Sequence, residues 1–183
     1  MRLPLIKGSA AYNLRHNERV GAELDGSAMI NGQGHGTVSL MRYGLCRMSF
    51  NGCEVIAVHN ALVWLKKQRP LTEIAHFMER YKMLFGIFGC NPYKLGKALG
   101  RYGAAFERYR GNAPDADAFI ICYWTGRRLL SSIHTVFCVK QADGGILAFN
   151  RHNGCLGAEK CGSADALTGG RKPIAVYTLK KEI

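Results

Sequence analysis

Three residues in this sequence have the type and order for nucleophilic catalysis. Cys53 opens CEVIAVHNALVWLKK, where Val55, Ile56, Val58, Leu62, Val63 and Leu65 cover most of a helical circumference, so the thiol falls at a helix N-terminus. There the macrodipole favours a thiolate, and the Cys53 backbone N–H lacks an intrahelical acceptor and can donate to an oxyanion. His134 lies in IHTVFCVK, a run rich in β-branched and aromatic residues that reads as a strand. An ionisable group between Ile133 and Thr135 needs a partner, and a thiol proton to accept as general base would supply one. Asn150 ends ILAFN, the next strand, across the turn at Asp143, Gly144 and Gly145, where it can orient an imidazole. Each residue also has a plain structural role open to it: a buried inert thiol, a hydrogen-bonded edge histidine, a strand-terminal amide.

The order of Cys at a helix start, His on a strand and Asn at the end of the following strand resembles that of papain-like cysteine peptidases. NGCEVIAVHNALVWL (51–65) is similar to the nucleophile helix of the C39-like branch, and IHTVFCVKQADGGILAFN (133–150) to its His strand, turn and closing strand. The resemblance covers about residues 43–150. It implies an α+β, papain-like fold with N-terminal helices, the nucleophile helix central, packed on an antiparallel sheet. It implies a cysteine peptidase (a thiol protease), hydrolase or acyltransferase of bacterial type working without cofactor or metal. Cys53 would be nucleophile, His134 base and acid, and Asn150 the orienting group. Substrates would be peptides or acyl-carrier-type amides and thioesters, with acyl transfer in biosynthetic clusters and bacteriocin leader cleavage both open. Two positions depart from the pattern. No Gln lies between Gln33 and Cys53, so Arg47, Ser49 or Asn51 would complete the oxyanion hole with the Cys53 N–H, Asn51 being chemically closest to Gln. Glu54 stands where that branch has Gly, and a carboxylate beside a thiol raises its pKa. These departures keep open a catalytically silent papain-like domain that binds a peptide or protein in the same cleft.

The elements that must position these residues follow from pattern. Asn51 and Gly52 suit the N-terminus of the Cys53 helix, and Lys66 and Lys67 its C-terminus. A second helix is expected from near Thr72, and a third from Asn91–Pro92 to near Gly103. Strands follow at 105–110, 118–124, 133–140, 146–150 and 174–179. Helices first and antiparallel strands later define α+β. Residues 1–40 read as an irregular extension, with a short strand at 36–40, ahead of a single domain over 41–183. Their position before the nucleophile makes them a candidate cover for the cleft. Trp124, closing its strand, is a candidate cleft wall or rim residue. His59 reads as core packing, and His152 as a loop residue that is the substitute base.

Composition narrows the classes. Hydrophobic residues are 48% and charged residues 21% of 183, an ordinary globular balance. No apolar run is long enough for a membrane span, no signal peptide is recognised, and a cytoplasmic protein is expected. The formal net charge of +12 raises the prior for an acidic partner. The basic residues are dispersed and no binding motif accompanies them, so nucleic acid is not the expected partner. Seven cysteines with no CxxC pair argue against a zinc ribbon, and Cys122 and Cys138 sit in apolar strands as small core residues.

Overall fold

Residues 6–111, 114–126 and 132–181 are described by the computed structural model. The N-terminal region departs from expectation at once. Ser9 accepts a hydrogen bond from the Tyr12 N–H and starts a helix, α1 (Ala10–Val20). Its buried residues are Asn13 and Asn17, so no apolar stripe announces it. Asn13 Nδ2 donates to the Gly44 carbonyl (2.8 Å) and to Glu79 Oε1 (2.6 Å), while Asn17 both donates to the Arg42 carbonyl and accepts from its N–H. Residues 36–40 form a short helix, α2 (Gly36–Leu40), rather than the expected strand. The strand pair comes just after it, as β1 (Arg42–Tyr43) and β2 (Cys46–Arg47).

A single turn of helix, α3 (Met48–Asn51), leads into α4 (Cys53–Trp64), whose residues are all buried from Cys53 to Leu62. A helix without a polar side has to be wrapped. The helices α5 (Leu71–Met78) and α6 (Leu95–Arg101) cover it on one side. Asn91 caps the approach to α6, its side chain accepting from the Tyr93 N–H, with Pro92 in the first turn.

On its other side α4 packs against a sheet built from β3 (Phe106–Tyr109), β4 (Ala118–Trp124), β5 (Ile133–Lys140), β6 (Ile146–Phe149), β7 (Glu159–Cys161) and β8 (Ala175–Leu179). Their order is β3-β8-β4-β5-β6-β7, and every neighbouring pair is antiparallel. Two features were not anticipated: β7, and α7 (Ala164–Thr168), capped by Ser163 and closed by left-handed Gly169.

The alternation of the strands divides the core into two layers. Ile120, Cys122, Phe137 and Tyr177 pack with α4, and Ile121, Tyr123, Val136 and Cys138 pack on the far face with Leu167 of α7. The chain is therefore mixed α+β, with helices against an antiparallel sheet, as its pattern implied.

Gly44 is where the N-terminal elements meet the loop that follows α5. Its φ is +58°, and a Cβ there would run into the Phe85 carbonyl and Gly86. Gly44→Ala should lower stability by about 2 kcal/mol through strain and this clash. Urea unfolding with an unshifted midpoint would show that the contact is not constrained.

Candidate functional site

The N-terminus of α4 and the junction where β4 ends and β5 begins enclose a cavity of about 440 Å³. Cys53, Glu54, His134 and Gln33 line its polar part, and Phe50, Ile87, Phe88 and Trp124 are among its apolar residues. The sequence thus brings Cys53, His134, Asn51 and Trp124 to one place from four different segments.

Cys53 is buried, and its Sγ donates to Glu54 Oε2 at 3.3 Å. Burial first, and then the adjacent carboxylate, push the thiol well above its ordinary value, against the weaker pull of the Thr135 backbone N–H. The macrodipole expected to favour a thiolate is outweighed. It is worth about 2 kcal/mol at best, whereas full burial can move a pKa by 3–5 units, about 4–7 kcal/mol. Glu54 is itself buried, and its carboxyl is raised by desolvation to about 7 despite N–H and thiol donors around it.

His134 is nearly buried, its ring edge-on to Tyr123. The two are cross-strand partners, while the next pair, Cys122 and Thr135, faces α4. His134 Nε2 lies 2.7 Å from the Asn150 carbonyl oxygen. A carbonyl only accepts, so Nε2 carries the proton and Nδ1 keeps the lone pair in the neutral ring. Burial lowers the pKa of His134, partly offset by that carbonyl. Among the described residues no hydrogen bond joins Cys53 to His134; the thiol is held by Glu54 and the imidazole by Asn150.

Asn150 orients the imidazole through its main chain, not through the side chain the sequence suggested. Its amide is committed to Gln33: the Gln33 N–H donates to Asn150 Oδ1 (2.9 Å), and Asn150 Nδ2 donates to Gln33 Oε1 (3.0 Å). Asn51 is also displaced from its expected role. Its Nδ2 donates to the Tyr43 carbonyl (2.9 Å) and the Gly86 carbonyl (2.5 Å), which uses both amide hydrogens on structure.

Gln33 is the residue that sequence reasoning passed over, because it stands far upstream of Cys53. The excursion through α2, β1, β2 and α3 returns the chain so that Gln33 and Cys53 line the same cavity. Gln33 Nε2 gives one hydrogen to the Ser49 carbonyl (3.2 Å) and carries a second. Its Asn-Gly-rich surroundings gave only a loop signal.

Trp124 is about half exposed at the rim, its carbonyl accepting from Arg171 Nε at 2.7 Å. His59 is buried in α4 and bonds the Ala28 carbonyl, a packing role as expected. His152 pairs with Glu159 (2.8 Å) outside the cavity lining, so it is not placed as a substitute base. With Cys155 these two offer ligand atoms within 4.8 Å of one another, the one group among the described residues with the makings of a metal site. At present Arg151 and His152 satisfy the Glu159 carboxylate between them.

No protein-family model, curated protein or solved structure matches this chain.

Glu54 gives the site a pH signature. A buried acid whose carboxyl is carried from 4.5 to about 7 binds its proton more tightly in the folded state. Its neutral form therefore stabilises the fold below pH 4.5, and that contribution is lost as pH rises towards 7, by roughly 3 kcal/mol in all. Glu54→Gln should flatten this part of the urea stability profile and make the protein more stable than wild type at pH 8. An unchanged slope would place the titration elsewhere.

Proposed function

We propose that this chain is a cysteine-dependent hydrolase or acyltransferase on a papain-like plan, forming a thioester at Cys53. The observation that carries this reading is the shared cavity, lined at once by a thiol at a helix N-terminus, an imidazole with a free Nδ1 lone pair, and a buried glutamine amide. Nucleophile, base and oxyanion donor are the three parts that acyl transfer through a thiol requires.

The chemistry begins from a neutral pair, because the same burial raises the thiol and lowers the imidazole. Proton transfer then accompanies attack instead of preceding it. Sγ of Cys53 bonds to the substrate carbonyl carbon while its proton passes to His134 Nδ1. The carbonyl electron pair moves to oxygen, where the Cys53 N–H and the remaining Gln33 amide hydrogen stabilise it. Collapse breaks the bond to the amine or thiol leaving group, which takes the proton from His134 and leaves a Cys53 thioester. Water or an acceptor nucleophile, deprotonated by His134, then attacks that thioester and restores the thiol. The substrate is a peptide, amide or thioester.

A second reading, a silent papain-like domain that binds a peptide or protein partner, is favoured by one feature. The hydrogen bond from Cys53 to Glu54 holds the thiol proton away from His134.

Incubation with an aryl thioester, followed by peptide mass spectrometry, separates the two. Acyl transfer predicts an adduct on Cys53 alone among the seven cysteines, absent in Cys53→Ser. His134→Ala and Gln33→Ala should each slow its formation by about a hundredfold. A Cys53 that gains no acyl group sinks the catalytic reading and leaves the binding one.

A further inference from the structure

The apolar side of the cavity continues onto the surface. Phe50, Ile87, Phe88 and Trp124 line it while remaining 66%, 47%, 58% and 45% exposed, and Leu84 and Phe85 extend the same loop at 62% and 69%. Water-exposed apolar side chains gathered at the mouth of a cavity mark a binding surface more than a solvated loop. The loop is held in this shape. The Phe85 carbonyl accepts from the Leu45 N–H (2.9 Å), the Gly86 carbonyl accepts from Asn51, and Met83 N–H bonds the Gly89 carbonyl (2.9 Å). Leu84 and Phe85 both have left-handed backbones, φ 44° and 56°, a strained conformation for non-glycine residues. Strain and ordered hydrogen bonds together keep large apolar side chains facing outward.

We infer that this rim seats the hydrocarbon chain of an acyl thioester whose carbonyl lies at Cys53. The distribution of polarity selects a hydrocarbon over a peptide. Hydrogen-bonding groups are concentrated around the thiol, at Gln33, His134, Ser132 and Asn153, whereas the four rim side chains offer between them only the Trp124 indole N–H. A peptide would bring an N–H and a C=O per residue over that apolar surface and leave them unpaired. An alkyl chain brings none. Charge fits the other end of such a substrate. Arg171 is anchored on the Trp124 carbonyl at the rim, and the chain carries a net +12, which suits a thioester on an anionic carrier.

The inference rests on the acyl chemistry proposed above, and two measurements separate their failures. The first is the rate of Cys53 acylation by acetyl, butyryl, hexanoyl and decanoyl thioesters of N-acetylcysteamine. It should rise about fourfold per added methylene until the rim is covered, and Phe88→Ser, a change at an exposed side chain, should flatten that dependence. The second is equilibrium binding of decanamide to the Cys53→Ala protein, read by calorimetry, which needs no catalysis. Binding is expected there, and its loss is expected when Phe88→Ser is added. If every chain length acylates Cys53 equally and decanamide does not bind, the apolar site is overturned while the thiol chemistry stands. If no thioester reacts but decanamide binds in a Phe88-dependent way, the apolar site stands and the acyl chemistry fails. If peptides with polar backbones displace decanamide and outcompete the decanoyl thioester, the hydrocarbon assignment is overturned.

Discussion

Asn150 holds the site together from four atoms at once. Its carbonyl accepts from His134, its N–H donates to Asn31 Oδ1, and its side-chain amide pairs with the Gln33 main chain and side chain. The residue sits just past β6 with φ +57°, a left-handed turn that Asn tolerates better than most. That turn lets one residue face the sheet with its carbonyl and the N-terminal segment with its side chain. The segment it grips has no regular structure of its own, so side chains must satisfy its main chain. Further back, α4 does the same work: His59 meets the Ala28 carbonyl, and Asn60 bonds both the N–H and the carbonyl of Ile30. Gln33 reaches the cavity because both ends of residues 28–33 are tied.

What could be read from the sequence follows from what leaves a periodic trace. The expected span of β5 matches residue for residue, and α4 starts at Cys53 as expected, because apolar content and its period encode both. In α1 the buried face is amide rather than hydrocarbon, so a helix that is specified by Asn13 and Asn17 looks like irregular chain. The pairing of Gln33 with Asn150 spans 117 residues and leaves no local mark at all. The facing of His134 was in principle legible. With Cys122 and Phe137 marking the helix-facing layer, strict alternation places His134 on the other one, beside Tyr123. Residue order alone suggested three groups in line. The alternation shows a thiol and an imidazole approaching one cavity from different layers of the sheet edge.

Glu54 links the electrostatics of the thiol to the shape of the rim. Its carboxylate accepts the Cys53 proton, and a Cβ at Gly89 would come within 2.7 Å of Glu54 Oε2, so the loop crosses directly over the carboxyl group. Gly89, at φ +66°, is the residue whose missing side chain allows that approach. Backbone N–H of Cys90, just beyond, favours the ionised form, but desolvation remains the larger effect. A carboxyl with its pKa near 7 can therefore be neutral or charged at physiological pH, and the two forms act differently on their neighbours. Ionised, it repels a thiolate and accepts the thiol proton; neutral, it does neither. On the proposed chemistry the free carboxylate restrains Cys53 until something at the cavity displaces that hydrogen bond. The dryness that makes an apolar rim attractive to a hydrocarbon chain is the same dryness that holds Cys53, His134 and Glu54 close to neutrality. Substrate preference and the protonation state of the resting site thus have one physical cause.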